Sequence, residues 1–181
     1  AHQKCADKVL ETQADFGVMF DVDGDRMFLI DEQGNFIRGD ETLILLAKSM
    51  LFHKPGVGIA YSLICSHAVP ELITKWGGRP IRSEVGYRNL SRHMKASDGV
   101  MSGEVSGHFA FAGNYYTDNG FIAMALAVET VSQSDKPLSE LIAEFKIYHR
   151  GDEVNLKVDD VEAKLDLIRQ KYRKNILDEI D

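Results

Sequence analysis

Residues 16–30 read Phe16-Gly17-Val18-Met19-Phe20-Asp21-Val22-Asp23-Gly24-Asp25-Arg26-Met27-Phe28-Leu29-Ile30. Two short apolar runs flank a loop that carries three carboxylates and one guanidinium. Each run is bounded by polar residues, which predicts a pair of buried strands. Between them Asp21, Asp23 and Asp25 stand at alternate positions. Two carboxylates about 6 Å apart repel by roughly 3 kcal/mol at an effective dielectric near 20, so a folded loop keeps three together only with a compensating cation. Hard oxygen ligands select a hard ion, and Mg2+ is the first expectation. A solvated acidic turn is the plainer alternative, because Asp and Gly are common in turns. An ordinary turn, however, has no need of three alternating aspartates between two apolar strands.

The chain has 181 residues, room for one large domain or two small ones. A chain of this size buries roughly 70% of its unfolded surface, so no disulfide or metal staple is required for stability. Hydrophobic residues make up 44% and charged residues 27%, the balance of a water-soluble globular protein. A formal net charge of −7 argues against nucleic acid or an anionic membrane as the main partner. Cys5 and Cys65 lie far apart without CxxC spacing and read as reduced thiols of a cytoplasmic protein. No apolar run approaches the ~20 residues of a membrane span, and no signal peptide opens the sequence. An initial Ala and a final Ile180-Asp181 have the look of cuts in a longer protein.

Working outward, residues 3–13 carry near-helical spacing, and 32–35 (Glu-Gln-Gly-Asn) form a hairpin turn into a strand at 36–38. Asp40 is placed to cap a helix over 42–52 with Leu43, Leu46, Ala47 and Met50 on one face. A strand over 57–64 follows, then a helix from Ser66 to Trp76, stopped by Gly77-Gly78. A strand at 79–82, a helix over 86–95 and a brief strand at 100–101 come next. Asp118 is placed to cap a helix over 121–131 with Phe121, Met124, Ala125 and Val128 inward, and 139–146 is another helix. This alternation predicts an α/β fold with a mixed, largely parallel sheet flanked by helices. Ligands of such sheets collect at the carboxyl ends of strands. After residue 151 the texture changes. Residues 154–158 alternate with period two, as a strand does, and Asp159 with Glu162 opens a helix to Arg173.

A second stretch carries chemistry: Ser102-Gly103-Glu104-Val105-Ser106-Gly107-His108-Phe109. A carboxylate, a hydroxyl and an imidazole sit between two glycines. Glycine lets a backbone approach a ligand closely. Glu104 can accept from neighbouring sugar hydroxyls, Ser106 can donate and accept, and a histidine such as His108 titrates near neutrality. That mixture suits a polyhydroxy ligand, although a polar loop that merely contains a histidine would read the same in isolation.

Together the two stretches resemble the α-D-phosphohexomutase family (phosphoglucomutase/phosphomannomutase). Residues 21–26 are similar to its metal-binding loop. Residues 103–108 are similar to its sugar-binding loop, usually Gly-Glu-Met-Ser-Gly-His, with Val105 here for Met. Asp118-Asn119-Gly120-Phe121 resembles the family's Asp-Asp-Gly-Ile helix start. The resemblance implies that 1–39 is the end of the family's second domain with the metal loop, 40–150 the third domain with the sugar loop, and 151–181 the first strand and helix of an incomplete fourth domain. It further implies an isomerase that moves phosphoryl between C1 and C6 of a hexose phosphate, glucose or mannose phosphate, through a phosphoserine and a bisphosphorylated sugar. Asp21, Asp23 and Asp25 would hold Mg2+, Arg26 would face the phosphate, Glu104 and Ser106 would grip sugar hydroxyls, and His108 would carry a proton.

Three departures bear on sugar preference. Val22 replaces a Gly of the metal loop, and Ile64 replaces a common Lys. Glu84-Val85-Gly86-Tyr87 stands where the family often has Lys-x-Gly-His. Tyr87 then occupies a substrate-binding position with a phenol of ordinary pKa about 10, a poorer base than imidazole. No segment resembles the family's phosphoserine loop or its C-terminal phosphate loop. The 181 residues are therefore expected to be inactive alone and to work with the remainder of a full-length chain.

Two rivals remain at this level. A haloacid-dehalogenase-type phosphatase would use Asp21 as nucleophile and Asp23 as acid/base, but leaves residues 103–108 without a role. A calcium-binding module would count Asp21, Asp23, Asp25 and Glu32 as EF-hand positions one, three, five and twelve. It meets Arg26 where Gly is required and apolar strands where helices are required.

Overall fold

The structure is a computed structural model and describes residues 2–149, 151 and 154–176. The chain divides into two compact units, Ala1–Tyr148 and His149–Asp181.

In the first unit, α1 (His2–Thr12) covers a small antiparallel sheet. The strands β1 (Phe16–Phe20), β2 (Met27–Asp31) and β3 (Phe36–Ile37) run in the order β1-β2-β3. Their register places Phe20 opposite Met27, so residues 21–26 form the connecting loop. Ala6 and Val9 of α1 pack on Ile30 of β2. The chain then enters α2 (Gly39–His53), β4 (Gly58–Ser62), α3 (Ala68–Lys75), β5 (Arg79–Ser83), α4 (Tyr87–Ala96) and β6 (Gly99–Gly103). A hairpin follows: β7 (Phe109–Phe111), a single 3-10 turn, and β8 (Thr117–Asp118). Then come α5 (Gly120–Ser132) and α6 (Leu138–Ala143).

These strands make a second sheet in the order β5-β4-β6-β7-β8. The β4–β5 and β4–β6 ladders are parallel, whereas β6–β7 and β7–β8 are antiparallel. The fold is thus α/β with a mixed sheet, less parallel than the strand–helix rhythm predicts. The antiparallel half consists of strands three and two residues long, too short to show a periodic signal.

α2 is the spine of the core. Leu43, Ile44, Leu45, Leu46 and Ala47 are all buried, so the helix is apolar around its circumference instead of along the single predicted face. It packs against α3, α5, β2 and β6. Each of the Leu and Ile side chains contributes about 1.5–3 kcal/mol of burial free energy. Asp40 does not cap α2. The helix starts one turn earlier, where the Arg38 N–H donates to Glu41 Oε2 at 3.2 Å. Asp40 is buried and accepts from the Ser66 N–H at 3.0 Å and Arg38 Nε at 3.3 Å, tying α2 to the segment after β4.

α5 also differs from expectation. Asn119, not Asp118, caps it by accepting the Ile122 N–H at 3.0 Å. Its buried residues are Gly120, Ala123 and Ala127, while Phe121 and Val128 are exposed. Small side chains allow close approach to the core, and the larger residues turn outward.

In the second unit, α7 (Val161–Tyr172) is capped by Asp160, which accepts the Ala163 N–H at 3.0 Å. Residues 154–158 form no strand. A period-two pattern becomes a strand only when a neighbouring strand supplies the ladder, and 154–158 belong to neither of the two described sheets. No described residue of α7 is buried.

Candidate active site

Two hairpin loops, distant in sequence, meet at one place. Residues 21–26 join β1 to β2, and residues 104–108 join β6 to β7. Arg26 and His108 form an isolated antiparallel bridge, and the Met27 N–H donates to the Gly107 carbonyl at 3.0 Å. The acidic loop and the polar loop are therefore stitched to each other backbone to backbone.

Glycines make this proximity possible. Gly39 opens α2 against the polar loop: a Cβ there would lie 2.5 Å from the Val105 carbonyl oxygen and closer still to that of Glu104. Gly120 opens α5 against the acidic loop, donates its N–H to the Gly24 carbonyl at 3.2 Å, and leaves no room for a Cβ against that same oxygen. Both loops thus rest on the first turns of helices.

Within the acidic loop, Asp21 accepts from the Arg26 N–H at 3.2 Å and from Arg26 Nε at 2.6 Å. Burial pushes the Asp21 carboxyl upward, but these hydrogen bonds outweigh it and hold it at about 2. Asp25 is pushed the other way: burial raises it, its acidic neighbours add to that, and His108 opposes them. Ligand oxygens of Asp21, Asp23 and Asp25 all lie within 4.8 Å of one another. Asp25 Oδ1 is buried and has no hydrogen-bond partner among the described residues. A buried acceptor without a donor is costly, and a hard divalent cation satisfies it while neutralising the loop. The three aspartates thus fit Mg2+ on this structure's own geometry.

In the polar loop, the Glu104 N–H donates to the His108 carbonyl at 3.1 Å and the Gly107 N–H to the Glu104 carbonyl at 3.2 Å, which closes a tight turn. Glu104 is almost fully buried; its Oε1 accepts the Gly86 N–H at 2.8 Å and its Oε2 accepts from Ser106 Oγ at 3.2 Å. It braces the loop against the start of α4 as well as offering its remaining lone pairs. Gly86 has φ of 108°, a conformation that suits glycine, and it points the chain into Tyr87. The Tyr87 ring stacks on His108 with centroids 5.7 Å apart and planes at 25°. His108 Nδ1 lies 2.7 Å from Asp118 Oδ2 and 3.8 Å from Asp25 Oδ2.

All eight predicted site residues, Asp21, Asp23, Asp25, Arg26, Tyr87, Glu104, Ser106 and His108, belong to these joined loops or to the α4 start that Glu104 braces. Ile64 lies apart in sequence in the turn after β4 and is half exposed. The reading from sequence missed Asp118 as a site residue. The signal was present: in Asp118-Asn119-Gly120 only one residue can cap α5, so the other is free for different work. His93 Nε2 lies 2.8 Å from Glu84 Oε2, which ties α4 to the segment before it.

The flanking strands remove the helix–loop–helix context that a calcium module requires. The family model described as phosphoglucomutase/phosphomannomutase, alpha/beta/alpha domain III, matches residues 38–148. The chain belongs to the α-D-phosphohexomutase family. It is 35% identical over 173 residues to a phosphomannomutase of Methanocaldococcus jannaschii, covering 96% of this chain and 38% of that one. A crystal structure of a phosphoglucomutase/phosphomannomutase family protein of Burkholderia thailandensis superposes with TM-score 0.73 at 28% identity, covering 78% of this chain and 31% of that chain. An N-acetylphosphoglucosamine mutase of Aspergillus fumigatus, solved with GlcNAc-6P and magnesium, shares the fold at TM-score 0.58 and 17% identity, covering 76% of this chain and 36% of that chain. The chain spans about a third of the length of such relatives, between 31% and 38%.

Proposed function

We propose that this chain carries the metal-binding and sugar-binding portion of a phosphohexomutase, an isomerase that shifts phosphoryl between C1 and C6 of glucose or mannose phosphate. The supporting observation is the backbone junction of the two loops: Arg26 bridges His108, and Met27 donates to Gly107. A site for one ligand with both phosphate and hydroxyl groups needs these two loops side by side.

Asp21, Asp23 and Asp25 would hold Mg2+, which would supply charge neutralisation at the phosphoryl group. Arg26 has Nε engaged by Asp21 and turns its terminal nitrogens to the phosphate. Ser106, which donates to Glu104, accepts from a sugar hydroxyl, and Glu104 accepts from a second. His108 carries a proton to or from the reacting hydroxyl. Tyr87 forms a wall of the sugar site. The bisphosphorylated sugar turns over between half-reactions, and hydroxyl contacts usable in either orientation suit that movement. The phosphoserine and the distal phosphate loop come from elsewhere in a full-length chain, so residues 1–39, 40–150 and 151–181 are read as parts of three successive domains. A cytoplasmic location agrees with Cys5 and Cys65 standing outside any disulfide among the described residues.

The test is calorimetric titration of Mg2+ into the 181-residue chain and into Asp23→Asn, followed by titration of glucose 1,6-bisphosphate. The expected result is weaker Mg2+ binding in the variant. Equal binding by both chains, or mutase turnover by the 181 residues alone, would overturn the reading.

A further inference from the structure

His108 is held from two sides. Its Nδ1 lies 2.7 Å from Asp118 Oδ2. Asp118 sits on β8 directly opposite Ala110 of β7, two residues beyond His108, so a strand ladder sets the spacing of the two side chains. An ionised carboxylate only accepts hydrogen bonds. The proton of a neutral His108 therefore resides on Nδ1. Tyr87 stacks on the ring and bounds its plane. Nε2 has no hydrogen-bond partner among the described residues.

Asp25, His108 and Asp118 also form a second group whose ligand atoms lie within 4.8 Å. The 2.7 Å separation of His108 Nδ1 and Asp118 Oδ2 is the length of a charge-assisted hydrogen bond.

We propose that Asp118 is a positioning residue that fixes His108 as the Nδ1–H tautomer, so that Nε2 presents its lone pair to a hydroxyl of the hexose phosphate. The identity of that hydroxyl rests on the phosphohexomutase reading; the tautomer does not. In the transfer, the hydroxyl O–H bond breaks and its electron pair stays on oxygen. The proton forms a bond to Nε2, and the resulting imidazolium faces the Asp118 carboxylate. This is the logic by which a carboxylate orients a catalytic imidazole on unrelated folds.

The test reads the ring directly. Two-bond 1H–15N correlation spectra of the 15N-labelled 181-residue chain in mildly alkaline buffer, with His108→Gln to assign the signal, report which nitrogen carries the proton. The expected signature is a protonated Nδ1 and a bare Nε2. A proton on Nε2 in the unsubstituted chain overturns the proposal without any variant. Asp118→Ala removes the acceptor that faces Nδ1, so the Nδ1–H signature should be lost, whereas Asp118→Asn keeps an amide oxygen that accepts from Nδ1–H and should retain it. Because Asn119 caps α5, both chains should keep their helix. A full Nδ1–H signature in the folded Asp118→Ala chain overturns the role of Asp118. The spectra need neither sugar nor metal. An intact tautomer in a chain that fails to bind glucose 1-phosphate would reject the hexose-phosphate reading alone.

Discussion

Gly39→Ala is the sharpest probe of how the site is supported. A Cβ at this position would stand 2.5 Å from the Val105 carbonyl oxygen and 2.8 Å from its carbonyl carbon, with Glu104 O nearer still. Ordinary contact begins near 3.4 Å, so the polar loop and α2 must separate by about 1 Å. No flexible side-chain tip can absorb the movement, because the obstructing atoms are backbone. The loop is also closed by its own bonds, Glu104 N–H to His108 and Gly107 N–H to Glu104, so it shifts as a body. Overpacking of this kind costs about 1–3 kcal/mol, and the upper end applies where backbone must move. For a chain of this size each kcal/mol lowers Tm by about 2–4 °C, which gives a fall of about 6–12 °C by differential scanning calorimetry. Amide shifts of residues 105–108 should move, and affinity for glucose 1,6-bisphosphate should drop. Gly113→Ala serves as control, since no heavy atom lies within 4 Å of its added Cβ. It should melt unchanged or slightly higher, by about 2 °C at most. If Gly39→Ala melts and binds like Gly113→Ala, the close approach of α2 to the polar loop is not what holds that loop in place.

Other consequences are as direct. In Arg26→Gln, Asp21 loses the Nε hydrogen bond and the guanidinium charge but keeps the residue-26 backbone N–H as a donor, so carboxyl NMR should show it titrating above about 2, towards the usual value near 3.9. Glu32 accepts from Ser139 through both its N–H, at 3.1 Å, and its hydroxyl; burial raises the Glu32 carboxyl, but these bonds outweigh it and lower it on balance. A depressed carboxyl stabilises the fold above its unfolded value and loses that contribution as pH falls through its folded one. Glu32→Gln should therefore cost about 1–2 kcal/mol at neutral pH, and the difference should narrow in melts run below about pH 4.3. Because α7 buries no described residue, a chain ended at Tyr148 should melt within about 1–2 °C of the full 181 residues, well under the effect expected of one lost core contact.

The two loops were legible in the sequence because their chemistry is dense. Three alternating aspartates, and a carboxylate, hydroxyl and imidazole between glycines, are hard to explain as filler. The strands around the acidic loop were equally clear, since apolar runs bounded by polar residues mark their own ends. What the sequence hid was decided by packing. α5 buries Ala123 and Ala127 and exposes Phe121 and Val128, because depth in the core there rewards small size, which a hydrophobicity pattern scores weakly. The strands β7 and β8 were invisible at two or three residues each. Residues 154–158 carried a clear period-two pattern that has no ladder to join. The tie between His108 and Asp118 was masked because Asp118 stands next to the true helix cap and reads as one itself.

The bridge from residue 26 to residue 108 has a consequence for when the site comes into being. Helices and hairpins close over a few residues, but this junction waits for a long stretch of chain to be ordered between its ends. Each sheet can form with its helices and strands intact while the two loops remain apart. Such a molecule would look native in a spectrum of secondary structure and would have nothing to bind. Through mass action, a ligand that touches both loops stabilises only the state in which they are joined.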